Sequence, residues 1–253
     1  MVICVAGPIA AGKNFVCSIL EERGFFCLDA DLVIHQVIKE KEEEIFLQFK
    51  EEAAAAGLEL KKSDGSLDRR ALGELLFKNP NLLAKQESLV YPAFERRIQE
   101  MIDANKDSSQ AQDGGGAVQP ITVGLPTANG AGGPSNAGGF AINATLLYKT
   151  PSILCQCQKI IYVDAPLLVR AWRIRRRDRL PFAQIIRRIK SQKGLFKEYE
   201  RFAADYGIEM VRVWNWGRGV EFEMKMNKGF SDMNDGRVTP LNEAFSDIKK
   251  KFM

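Results

Sequence analysis

Gly7-Pro8-Ile9-Ala10-Ala11-Gly12-Lys13-Asn14 sets two glycines five residues apart, with a lysine directly after the second. Glycines at that spacing let the backbone fold close around phosphate oxygens. A helix that begins at the second one aims its free N–H groups and the positive end of its dipole at the same oxygens. A cation at a helix start opposes that dipole unless an anion sits there, so Lys13 reads as the group that reaches the terminal phosphates of a nucleotide. The eighth slot of this Walker A pattern commonly gives magnesium a Ser or Thr hydroxyl, whereas Asn14 offers an amide oxygen. The nucleotide-contacting residues are expected to be Gly7, Pro8, Ile9, Ala10, Ala11, Gly12, Lys13, Asn14 and Phe15.

Two further groups could act on what that loop holds. Asp29 and Asp31 follow the apolar run 25–28, and the carboxyl ends of strands in an open α/β sheet face the ligand crevice. A carboxylate there can accept the proton of an attacking hydroxyl. Asp31 is assigned that role, with at least one of the two expected to cap the following helix. Six arginines, Arg170, Arg173, Arg175, Arg176, Arg177 and Arg179, fall within ten positions. Arg173 and Arg177, four apart on a predicted helix, project from one face and could close over a triphosphate as a lid. A solvated basic face partnered by Asp178 is the alternative. Nucleic-acid binding through the cluster is a third reading, and a phosphate ligand at the glycine loop already accounts for the charge.

The elements that must position these groups follow from periodicity. Residues 2–6 read as a strand buried on both faces, followed by the glycine turn and a helix; residues 25–28 and the helical spacing of Leu32, Val33, Val37 and Ile38 make a second such unit. Residues 40–105 predict an all-helical lobe, broken at Ser63-Asp64-Gly65 and Asn79-Pro80. Residues 103–139 are rich in Gly, Ser, Asn and Pro and read as a flexible insertion. Strands are expected at 140–147, 159–164 and 210–214, helix over 167–190, and a closing helix at 241–252. Alternating strands and helices predict a parallel sheet in a three-layer α/β/α fold.

Composition sets the bounds. With 253 residues, 45% hydrophobic and 27% charged, the chain has the balance of a soluble globular protein, which excludes fibrous and disordered classes. The N-terminus carries no leader pattern and no apolar run is long enough to span a bilayer, so a cytoplasmic protein with no membrane partner is expected. An odd count of five cysteines argues against a disulfide framework; they read as buried thiols, with Cys155 and Cys157 at alternating positions on a strand rather than as a metal clip. His35, the lone histidine, reads as a packed or hydrogen-bonded surface residue. Trp172, Trp214 and Trp216 are expected to be buried rather than stacked on a base.

Taken together, the glycine loop, Asp29-Ala30-Asp31 with His35, the run Asp64-Gly65-Ser66-Leu67-Asp68-Arg69-Arg70-Ala71-Leu72-Gly73 and Phe77-Lys78-Asn79-Pro80 resemble the dephospho-CoA kinase family. The likeness resumes at Arg173, Arg177-Asp178, Arg188-Ile189 and Ser191-Gln192. It implies a P-loop kinase core over 1–38 and 140–253, with a helical lid at about 167–192. It also implies a helical CoA-binding lobe over 39–102, with the insertion 103–139 between. The activity implied is transfer of the ATP γ-phosphoryl group to the ribose 3′-hydroxyl of dephospho-CoA. In that reading Asp31 is the base, Lys13 steadies the phosphoryl group, Arg173 and Arg177 supply lid charge, and Asn215 sits near the adenine. ATP and Mg2+ are the implied cofactors, with Asn14 and Asp31 as metal contacts, and a monomer or weak homo-oligomer is expected without nucleic-acid partners. Asn143 to Lys149 stands where the family carries Asp-Ala-Pro-Leu-Leu-Phe-Glu, and Tyr91-Pro92 where it carries His-Pro. These departures and Asn14 keep a second reading open, a catalytically weak nucleotide-binding or CoA-binding regulator of the same fold.

Overall fold

A computed structural model of the chain describes residues 1–110 and 139–216. Five apolar runs form strands β1 (Val2–Ala6), β2 (Phe25–Asp29), β3 (Gly139–Asn143), β4 (Lys159–Asp164) and β5 (Glu209–Trp214). They make one sheet in the order β2-β3-β1-β4-β5, with every pairing parallel. β1 is central, and the strands beside it come from much later in the chain. The connections therefore diverge at its carboxyl end and leave a crevice there.

The pleat divides the core in two. Cys4 and Ala6 of β1 join Phe26, Leu28, Phe140 and Ile142 in a core shared with α2 (Ala30–Glu40), α3 (Glu42–Ala55), α5 (Pro80–Gln110) and α9 (Leu195–Tyr206). Ile3 and Val5 point the other way and pack with Val16, Ile19 and Leu20 of α1 (Lys13–Glu21). Apolar side chains on both faces of each inner strand make the run continuous rather than alternating, and the three-layer arrangement follows. A third cluster joins α7 (Leu167–Asp178) to α8 (Phe182–Lys190) through Ala171, Ile174, Ile185 and Ile189, with Ile9 and Ala10 of the glycine loop packed against it. The described residues also form α4 (Arg69–Lys78) and α6 (Pro151–Leu154). Among the described residues no helix is long and apolar enough to cross a membrane.

Several expectations are corrected. The strand expected over 140–147 ends at Asn143. Ala144 still donates to the Val5 carbonyl, but Leu147 donates its N–H to the Tyr199 hydroxyl at 2.9 Å and residues Leu147–Lys149 close a 3-10 turn. A buried turn and a buried strand are equally apolar, so periodicity does not separate them. The helix expected over 167–190 is two helices, because Arg179 takes a left-handed conformation (φ 52°) and Pro181 follows. Helix α9 went unforeseen. The lobe is not wholly helical: Lys61 and Leu67 form an antiparallel bridge around the Asp64-Gly65 turn, where Gly65 has φ 81°.

At its edges the expected insertion is regular, since α5 runs to Gln110 and Gly139 opens β3. The rest of that expectation, 111–138, and the closing helix at 241–252 lie outside the described residues. Cys155 is exposed, and with Cys157 it lies in the turn between α6 and β4 rather than on a strand. The three tryptophans are exposed. Trp214 and Trp216 alternate with buried Asn215 at the end of the outermost strand, so the period of two that turns Asn215 inward turns both rings outward.

Candidate active site

The glycine turn leaves β1 and enters α1 under tight steric limits. Gly7 has φ 144°, and a Cβ there would collide with the Val163 carbonyl; Gly12 has φ 104°, and a Cβ there would strike the Asn215 amide. No other residue type fits either position. Between them Ala10 also takes a left-handed conformation, φ 59°. α1 begins without a side-chain cap and without an acidic residue in its first turn, so its first amides are left for an external acceptor.

A cavity of about 690 Å³ opens over this turn, at the carboxyl ends of β1, β2 and β3. Of the residues expected to contact nucleotide, Ile9, Ala10, Gly12, Lys13, Asn14, Phe15 and Asn215 line it, together with Asp31, Arg173 and Arg177. Gly7, Pro8 and Ala11 do not. Ala11 is fully buried, and the Gly7 and Pro8 carbonyls accept hydrogen bonds that shape the turn. Asp29, Asn143, Thr145 and Gln192 line the cavity as well, and these the sequence-based site list lacks. Gln192 was within reach, in the Ser191-Gln192 pair. Thr145 carries no local signature, because it meets its partner only through the sheet.

Lys13 donates from Nζ to the Gly7 carbonyl at 3.0 Å and to Thr145 Oγ1 at 3.1 Å. Burial pushes its ammonium below the ordinary lysine value, and Asp31 is the neighbour that most opposes the shift. Asp31 stands in the first turn of α2. Asp31 is exposed at the cavity mouth, yet the surrounding walls still cost its carboxyl part of its solvation and raise it above the usual carboxylate range; Lys13 pulls it back down and Asp29 pushes it further up. Asp29, the last residue of β2, caps α2, with Oδ1 accepting from the amides of Asp31 (3.0 Å) and Leu32 (3.3 Å).

The opposite rim is built by α7. Arg173 donates to the Ala10 and Ala11 carbonyls at 3.0 and 3.1 Å and to Asn215 Oδ1 at 3.0 Å, clamping the turn to the end of β5. Arg170 holds the Ile9 carbonyl at 3.0 Å, and Gln192 accepts from the Ile9 amide at 2.7 Å. Arg177 faces the cavity from a more exposed position. Its guanidinium pairs with Asp178 at 2.7 Å, and Arg188 reaches the same carboxylate at 3.3 Å. Arg173 and Arg177 therefore both reach the site, held by different partners.

At the floor, Asn143 donates from Nδ2 to Asn14 Oδ1 at 3.0 Å. Among the described residues no cluster of three or more His, Cys, Asp or Glu side chains could hold a metal ion alone.

Residues 1–111 match the family model described as dephospho-CoA kinase. The dephospho-CoA kinase of Treponema denticola is 34% identical over 215 residues, 85% of this chain and 83% of that protein. That of Treponema pallidum is 33% identical over 225 residues, 89% and 92% of the two chains. This chain belongs to the dephospho-CoA kinase family. Its fold agrees with a crystal structure from Thermus thermophilus (TM-score 0.64, 22% identity, 92% of this chain and 97% of that one). It agrees also with dephospho-CoA kinase from Campylobacter jejuni (TM-score 0.58, 20% identity, 94% and 98%). The glycine turn, the parallel sheet and these likenesses make it a P-loop kinase fold.

Proposed function

We infer that this family member transfers the γ-phosphoryl group of ATP to the ribose 3′-hydroxyl of dephospho-CoA, giving coenzyme A and ADP. The observation that carries the reading is that Lys13 and Asp31 face one cavity over an uncapped helix start. One is a cation held below its ordinary basicity and the other a carboxylate held above its ordinary acidity range. A base poised nearer neutrality is the better proton acceptor at working pH.

The acceptor hydroxyl oxygen forms a bond to the γ-phosphorus, the bond from that phosphorus to the β–γ bridging oxygen breaks, and the hydroxyl proton passes to Asp31. ADP leaves with the bonding pair on its terminal oxygen. Lys13, Arg173 and Arg177 meet the charge spread over the transferring oxygens, which is where most catalysis of phosphoryl transfer resides. The amides at the start of α1 orient the phosphates, and α7 with α8 closes the donor side. The helical lobe 39–102 is assigned to the acceptor, because α2, which carries Asp31, packs against α5.

The oxygen donors Asp31 and Asn14 suit a hard divalent cation only when nucleotide phosphates supply further ligands. Mg2+ is assigned to the reaction on that footing; bound there, it would neutralise phosphate charge. Four buried free thiols, Cys4, Cys17, Cys27 and Cys157, favour a reducing compartment, here the cytoplasm. A monomer or weak homo-oligomer is proposed, which gel filtration checks.

The test is conversion. The purified chain, incubated with ATP, Mg2+ and dephospho-CoA, should form coenzyme A, and Lys13→Ala should lose about a hundredfold or more of the rate. A folded, ATP-binding wild type that forms no coenzyme A would instead fit the non-catalytic binder.

A further inference from the structure

Asn14 and Asn143 do not merely stand in for other residues; they are bonded to each other. Asn143 is buried at the last position of β3, in register with Val5 of β1 and Asp29 of β2, and its amide donates to Asn14 in the first turn of α1. The floor beside the glycine turn is therefore closed by two neutral amides that engage each other. The carboxylates on the cavity wall are Asp29, whose Oδ1 is engaged by the amides of α2, and Asp31; three cations, Lys13, Arg173 and Arg177, face them.

Electrostatics gives this pairing a consequence. A carboxylate on the floor, a few ångströms from the phosphates, would repel a metal-free triphosphate and make tight binding depend on a divalent cation. A neutral floor exerts no such repulsion, and the protein's own cations remain to balance the phosphates. We propose that the Asn14–Asn143 amide pair uncouples nucleotide affinity from the divalent cation, so that this chain binds ATP with or without Mg2+ and needs the ion for the chemical step alone. The proposal rests on the nucleotide-binding reading of the cavity.

Calorimetry with the full chain separates the two. ATP is titrated once in EDTA and once in excess Mg2+, without dephospho-CoA. The expected ratio of metal-free to metal-bound Kd for the wild type is at most about tenfold. Asn143→Asp should widen that ratio by about tenfold or more by weakening metal-free binding. Because a carboxylate at a buried position could unfold the chain, Asn14→Asp serves as the second variant. It sits at an exposed position in the first turn of α1, where an acidic residue is tolerated, and it should widen the ratio in the same direction. A wild-type ratio above about tenfold, or folded variants whose ratio does not widen, would overturn the proposal. Absence of ATP binding in both buffers would overturn the nucleotide reading beneath it.

Discussion

The cavity is bordered by two like pairs, and each pair divides its labour. At the end of β2, Asp29 uses its carboxylate to hold the first amides of α2, while Asp31 two residues on is left toward the cavity with its proton affinity raised. On α7, Arg173 binds the Ala10 and Ala11 carbonyls and Asn215, while Arg177 one turn later pairs with Asp178 through two hydrogen bonds at the exposed rim. In both regions one member fixes backbone that shapes the site and the other faces the cavity without holding any. Identical residue types at close spacing therefore predict different losses when removed.

The largest difference in stability should appear on α7. Arg173→Ala removes transition-state charge and the clamp on the glycine turn together. The expected loss is about a hundredfold or more in kcat, with about 2 kcal/mol of stability from the charged hydrogen bonds, read as a fall in Tm of about 5 °C. Arg173→Lys should not rescue it, because an ammonium cannot reproduce the forked contacts. Arg177→Ala should lower kcat by about tenfold to a hundredfold and leave Tm nearly unchanged, since an exposed ion pair contributes about 0–1 kcal/mol. Equal thermal shifts in the two variants would erase the proposed distinction.

A smaller effect sharpens the carboxylate pair. The base must be ionised to act, so kcat/KM should rise with pH through the Asp31 pKa, and that limb should lie above the ordinary aspartate value of about 3.9. Asp29 contributes to the elevation by like-charge repulsion. Asp29→Asn keeps a good helix cap but removes the charge, so the acid limb should move down by a fraction of a unit. An upward move would contradict the assignment.

How much of this was legible depended on how local the chemistry is. The glycine turn, Lys13 and the capping carboxylate belong to single strand–turn–helix units, so residue types and spacing specify them directly. Thr145 and Gln192 were invisible as partners of Lys13 and Ile9, because those contacts join residues 132 and 183 positions apart and exist only once the sheet has formed. Asn143 stands out in the sequence as a departure from the family's pattern, but its bond to Asn14 does not, for the same reason. The expected strand runs past the observed one because Ala144, Leu146 and Leu147 continue its apolar character; after Asn143 the chain turns instead, with Leu147 held by the Tyr199 hydroxyl of a helix that periodicity does not reveal. Trp214 and Trp216 are exposed against expectation because strand position outweighs hydrophobicity: at the sheet's edge the inward place belongs to Asn215.

The division between Asp29 and Asp31 is the central claim. Its most direct test is the single-turnover rate of phosphoryl transfer from ATP to dephospho-CoA, measured side by side for Asp31→Asn and Asp29→Asn at saturating substrates. The account predicts a loss of about a hundredfold to ten-thousandfold for Asp31→Asn and less than about tenfold for Asp29→Asn, whose cap survives the change. Comparable losses in both variants, or near-wild-type turnover by folded Asp31→Asn, would contradict it.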